Sequence, residues 1–183
     1  MTMFPSLENY RERLANITIG PTTLRNQGAS GITNIARQFL KELDLSQFVA
    51  PNQDDFMTEL DLHTEALKQK FPDKAQNWGT ARKAINLFLA EAYYHRFICE
   101  AYHLQRIERF LELPLDSQVG RFLTNAANQV GEIDFPKWPG LKYLTSKESK
   151  RYQDFAEILA SKKGCARVHL DVIIWQPERK EKP

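Results

Sequence analysis

The stretch Thr80-Ala-Arg-Lys-Ala-Ile-Asn-Leu-Phe-Leu-Ala-Glu-Ala-Tyr-Tyr-His-Arg-Phe-Ile-Cys-Glu-Ala-Tyr102 decides the fold. It reads as one long helix. Its most apolar part, Ala84 to Leu104, is interrupted by Glu91, Arg96 and Glu100, so it cannot span a bilayer. Helical periodicity continues on both sides. Leu7, Tyr10, Leu14 and Ile17 follow one helix face after the start signal Pro5-Ser6. Ile32, Ile35, Ala36, Phe39, Leu40 and Leu43 mark a second helix. Phe56, Leu60, His63, Leu67 and Phe71 mark a third, ended by Pro72-Asp73. Beyond Tyr102, Ile107 to Leu111 adds a short piece, and Ser117, Val119, Phe122 and Leu123 fit a helix capped near Asp116. Residues 124–144, with Gly131, Pro136, Pro139 and Gly140, read as a loop. Thr145-Ser-Lys-Glu148 is a capping box that opens a helix to about Lys163, with Gly164 as its stop. Residues 166–176 alternate like a strand at Val168, Leu170, Val172 and Ile174. No partner strand is evident, so this segment too is expected to be helical. The expectation is an all-α fold: one compact helical domain over residues 1–176 and a charged tail over 177–183.

A chain of 183 residues with 42% hydrophobic and 26% charged side chains has the composition of one globular domain, which excludes a disordered tail, a collagen-like fibre and a polytopic membrane protein. Met-Thr-Met-Phe-Pro-Ser lacks a basic region before an apolar run, so no secretory signal is expected. Cys99 and Cys165 are too few for a disulfide scaffold, a four-cysteine zinc site or an iron–sulfur cluster. They read as buried thiols in a reducing cytoplasm. His63, His95, His103 and His169 show no metal spacing and read as structural; no metal and no cofactor is expected.

Charge is unevenly placed. Residues 1–136 hold 14 Lys/Arg against 17 Asp/Glu, whereas residues 137–167 hold eight basic side chains against three acidic ones. Such a one-sided basic region is either an electrostatic footprint for a polyanion or a solvated helix face.

Three segments carry chemistry. In Asn77-Trp-Gly-Thr-Ala-Arg-Lys83, Gly79 is expected at a turn whose backbone N–H groups face a phosphate, with Thr80 and Arg82 beside it. Lys83, one turn into the helix and next to Arg82, is expected to have a lowered pKa, which favours a free amine. In Leu113-Pro-Leu-Asp116, the aspartate reads as a helix cap that also holds an ionised carboxylate in place. Asp171 and Trp175 are spaced to share a helix face, and a carboxylate among Val, Leu and Ile needs a buried partner or lines a cavity.

Together these segments resemble the helix-hairpin-helix superfamily of DNA glycosylases. Gly79-Thr-Ala-Arg-Lys83 is similar to the end of the family hairpin, with the lysine four residues after the first glycine and Ala81 in place of the second. Pro114-Leu-Asp116-Ser-Gln-Val119 looks like the segment that carries the essential aspartate. The 33-residue separation of Lys83 and Asp116 and the Asp171–Trp175 pair near the C-terminus resemble the archaeal 8-oxoguanine glycosylase branch. Asn34-Ile-Ala-Arg37 is similar to the segment that enters the DNA gap in the classical 8-oxoguanine enzymes.

The resemblance spans roughly residues 75–176. It implies a monomeric, nucleoid-associated cytoplasmic enzyme that flips a damaged or modified purine, by default 8-oxoguanine, out of double-stranded DNA. Lys83 would be its nucleophile and Asp116 its catalytic carboxylate. Asp171 and Trp175 would line the base pocket, with Trp78 as a second stacking candidate or a core tryptophan. Gly79, Thr80, Arg82, Lys142 and Lys147 would hold DNA backbone, and Gln27, Asn34 and Arg37 would act as gap wedge or base-edge readers. Two other classes stay open: a helical nucleic-acid-binding module without catalysis, and an interaction protein that kept the fold and lost the reaction.

Overall fold

The computed structural model describes residues 5–175, and among them it is all helical, with no strand. Gln176 and the expected tail lie outside the described residues. The α-helices are α1 (Leu7–Thr18), α2 (Ile32–Glu42), α3 (Gln53–Lys70), α4 (Trp78–Tyr94), α5 (Arg96–Tyr102), α6 (Ser117–Gln129), α7 (Ser146–Lys162) and α8 (Leu170–Ile174). Short 3-10 helices join them, among them Leu104–Phe110, Leu141–Tyr143 and Arg167–His169.

The local start signals act as read. Ser6 caps α1 and Thr145 caps α7, each in a reciprocal capping box, with Asn9 and Glu148 respectively. Asp116 caps α6. Three boundaries differ from the sequence reading. The long helix breaks at His95, which takes an extended backbone (φ −83°, ψ 104°) and accepts a hydrogen bond from the Ile98 N–H on its Nδ1, so that it caps a separate α5. Residues 124–129 are not loop but the second half of α6, because Leu123 and Ala127 are buried and continue its apolar face. That helix ends at Gln129, and just beyond it Gly131 (φ 81°) turns the chain so that the Glu132 N–H reaches back to the Ala127 carbonyl at 3.0 Å. The third difference concerns Gly79. It sits inside the first turn of α4, buried, where an added Cβ would collide with the Leu141 carbonyl and lie 2.8 Å from Leu144 Cβ. The glycine is there to let the 141–144 turn approach the helix, and it forms no open phosphate-binding turn.

Two apolar clusters make the core. The first gathers α1 to α5 and the 104–110 turn around Phe48, Phe56, Phe88 and Ile107. The second packs α6 on α7 around Leu115, Val119, Leu123 and Tyr152. The chain passes from one to the other at Leu111-Glu112-Leu113, where a network of buried polar side chains holds the seam. Glu112, fully inside, receives Arg82 Nε at 2.9 Å and Asn86 Nδ2 at 2.8 Å. Arg82 also reaches Asp61 at 2.6 Å and Thr64 at 3.0 Å. Gln153 of α7 satisfies both the N–H and the carbonyl of Leu113, at 3.0 and 2.8 Å. Removing one partner of such a buried pair costs about 3–5 kcal/mol, because the other charge is then stranded. The two cysteines are free and half-buried. No helix among the described residues is long and apolar enough to cross a membrane.

Candidate functional site

Near the seam, α4 presents Lys83 and the start of α6 presents Asp116. Lys83 Nζ and Asp116 Oδ2 lie 3.6 Å apart, with side chains only 12% and 20% exposed. The cap explains how the carboxylate is aimed. Asp116 Oδ1 accepts from the Gln118 and Val119 N–H groups at 2.8 and 2.9 Å, which leaves Oδ2 turned to the amine. Lys83 Nζ also lies 3.4 Å from the Thr23 carbonyl, on the segment between α1 and α2.

These groups line a recess of about 350 Å³ together with Thr18, Thr22, Thr23, Leu87, Pro114, Asp171 and Trp175. Four side chains singled out from sequence therefore converge: Lys83, Asp116, Asp171 and Trp175. Trp175 is 54% exposed, so its ring is open to a stacking partner and is not a core tryptophan. Gln118 of α6 ties this end of α8 down by donating to the Ile174 carbonyl at 3.2 Å.

The recess shifts the titration of its groups. Burial lowers the Lys83 pKa, while Asp116 and then Asp171 oppose that by stabilising the ammonium. The Asp171 carboxyl is pushed up to about 6, chiefly by burial and then by the negative charges of Asp116 and Glu91; Lys83 and a hydrogen bond from the Trp175 side chain pull the other way. A weakened lysine and a carboxyl that titrates near neutrality are the equipment of nucleophilic and proton-transfer chemistry.

The other expected site residues fall elsewhere. Gly79 and Thr80 are buried, so neither presents itself to a backbone phosphate. Arg82 is buried in its pairs with Glu112 and Asp61 and is not a DNA contact; its guanidinium also lies 5.1 Å from the Trp78 ring, which faces a separate polar cleft. Gln27 lies over the N-terminus of α4, where its Oε1 accepts from Thr80 Oγ1 and its carbonyl from Asn77 Nδ2. Arg37 donates from Nε to the Ile19 carbonyl at 2.7 Å, and so holds the start of the same segment. Asn34 is exposed on α2, against a groove formed with Gln38 and Phe39, away from Lys83. None of these three lines the recess. Lys142 and Lys147 are exposed. The basic region as a whole is less free than its composition suggests, since Lys150 pairs with Asp154 and Arg167 is buried against the Phe110 and Leu111 carbonyls.

Sequence reasoning missed Thr18, Thr22 and Thr23, which reach the recess only because the α1–α2 segment folds over α4. It also missed Leu87 and Glu91, which a helical reading at four-residue steps from Lys83 would have found. Among the described residues no cluster of three or more His, Cys, Asp or Glu is placed to hold a metal ion. Compared with known proteins, the chain matches no family model, no curated protein and no solved structure.

Proposed function

We propose that this chain is a DNA glycosylase with AP-lyase activity, acting on a damaged or modified purine extruded from duplex DNA. The observation that carries the reading is the 3.6 Å approach of Lys83 Nζ to Asp116 Oδ2 in a recess shared with Asp171 and Trp175. In this reading a neutral Lys83 attacks the anomeric carbon as the bond to the base breaks, and the base leaves with that electron pair and a proton. Asp116 faces the oxocarbenium-like charge of the transition state. The sugar then opens to a Schiff base with Lys83, and loss of a C2′ proton expels the 3′ phosphate. Trp175 stacks on the flipped base and Asp171 meets its polar edge, as donor or acceptor according to its protonation. Extrusion costs a few kcal/mol, least for a base already weakly paired, which favours damaged nucleotides.

The protein would act as a monomer, nucleoid-associated in the cytoplasm, with Lys142 and Lys147 meeting the backbone by charge. The test is incubation with a panel of duplexes holding 8-oxoguanine and other damaged or modified purines, with borohydride present to reduce the imine. A covalent protein–DNA adduct mapped to Lys83, together with base release and a nick, is the expected result. No adduct and no base release across the panel would refute it and leave the non-catalytic nucleic-acid binder as the better reading.

A further inference from the structure

The proposed site depends on α8, which is only five residues long, Leu170–Ile174, and carries Asp171 toward Lys83. A helix that short does not hold itself in place in water. It is held at both ends: Leu170 is buried in the second core cluster, Gln118 of α6 bonds the Ile174 carbonyl, and the turn just before the helix is anchored as well. Arg167 bonds the Leu111 and Phe110 carbonyls at 3.1 and 3.0 Å, and Val168 is buried in the first core cluster. His169 is gripped on both ring nitrogens: Nδ1 lies 2.8 Å from Tyr94 Oη and Nε2 lies 2.7 Å from Glu108 Oε1.

The Tyr94 bond differs from the others in what it connects. Tyr94 stands eleven residues beyond Lys83 on α4, three helical turns along nearly the same face. His169 therefore refers Asp171, two residues later, to the same rigid helix that carries the amine. Arg167 anchors only to the 110–111 segment. We propose that His169, through Tyr94 and Glu108, is a positioning residue that fixes the distance of Asp171 from Lys83.

Both protonation states of the ring sustain this clamp. A neutral ring with its proton on Nε2 donates to Glu108 and accepts the Tyr94 hydroxyl; an imidazolium donates to both. Tyr93 also packs against the ring, 5.8 Å from it centre to centre. Asp171 supports the Lys83 ammonium, with Asp116 acting more strongly and Glu91 facing Asp171 from α4. Loosening the start of α8 takes Asp171 away from the amine and lowers the Lys83 pKa further so long as the recess keeps the amine buried, burial being the larger effect.

This inference rests on the recess being the reactive site, but its test needs no DNA. Trace acetylation of the full-length protein by acetic anhydride, read at Lys83 by mass spectrometry across pH, reports the free-amine fraction. Asp171→Asn is expected to move the midpoint down by about half a unit, a roughly threefold rise in reactive amine at a fixed pH below it. His169→Ala should move it in the same direction by a similar amount, and the double variant should move it no further, because both remove one effect. Tyr94→Phe, which deletes a single hydroxyl, should give a smaller shift of the same sign, and His169→Gln, which still reaches Glu108, should match it. An unchanged midpoint in folded His169→Ala, or fully additive shifts in the double variant, overturns the proposal. Should His169→Ala fail to fold, Tyr94→Phe decides by the same criterion. A panel of DNA substrates without any adduct would defeat the glycosylase reading and leave these shifts unaffected.

Discussion

Lys83 Nζ and Asp116 Oδ2 stand 3.6 Å apart across 33 residues of sequence, and one carboxylate does two jobs there. Its first oxygen caps α6 and its second faces the amine. Capping fixes the direction of the carboxylate, so the aim of the second oxygen follows from the backbone and does not depend on a freely rotating side chain.

Substitution at these two positions separates chemistry from folding. Lys83→Gln should keep the fold and lose both the borohydride adduct and the nick. Asp116→Asn keeps a cap of similar strength and should lower single-turnover base release by about 10²–10³-fold, the scale of losing one aimed electrostatic group. Asp116→Ala should in addition lower stability by about 1 kcal/mol in urea unfolding, through the lost cap.

The raised Asp171 pKa makes stability depend on pH. In the fold the group titrates at about 6 against an ordinary value of 3.8, so its ionisation is disfavoured by folding. The stability it contributes is complete below the unfolded value and is lost as pH rises through the folded one. Asp171→Asn mimics the protonated form. The melting temperature of the variant should match wild type in acid, pull ahead of it as pH rises from about 4 to about 6, and keep a constant lead above that. A lead that shrinks with rising pH would contradict the assignment.

Arg82 and Glu112 should behave as structure and not as DNA contacts. Arg82→Ala and Glu112→Ala should each cost about 3–5 kcal/mol in denaturant unfolding. Arg82→Lys should recover little, because an ammonium cannot reproduce the two-pronged contact with Glu112. At temperatures where the variants stay folded, the salt dependence of duplex binding should match wild type, whereas Lys142→Gln with Lys147→Gln should flatten it by almost one log unit per lost phosphate contact.

Gly79→Ala tests the glycine's part. The added methyl meets the Leu141 carbonyl and Leu144, so overpacking should lower stability by about 1–3 kcal/mol, measured by thermal unfolding. A phosphate-binding turn would give the other pattern: unchanged stability and weaker DNA binding.

The sequence by itself determined the helices and their caps. Ser6, Asp116 and Thr145 act on N–H groups two or three residues away, and Phe56, Leu60 and Leu67 repeat with the helix, so those signals are complete within one turn or one face. It also marked Lys83, Asp116, Asp171 and Trp175 as chemically able residues. It misread the break at His95, because Ile98 and Leu104 continue an apolar pattern on both sides of it, and periodicity does not register a change of direction. What only the tertiary structure decided is which polar groups were already engaged. Arg82 beside Lys83 looks equally free in the sequence, yet it is closed off by Glu112, thirty residues away, while Lys83 opens on the recess. Gly79 reads as a turn until the 141–144 segment lies against it. Helix formation is settled by neighbours along the chain, whereas burial and pairing are settled by atoms that packing alone brings into contact.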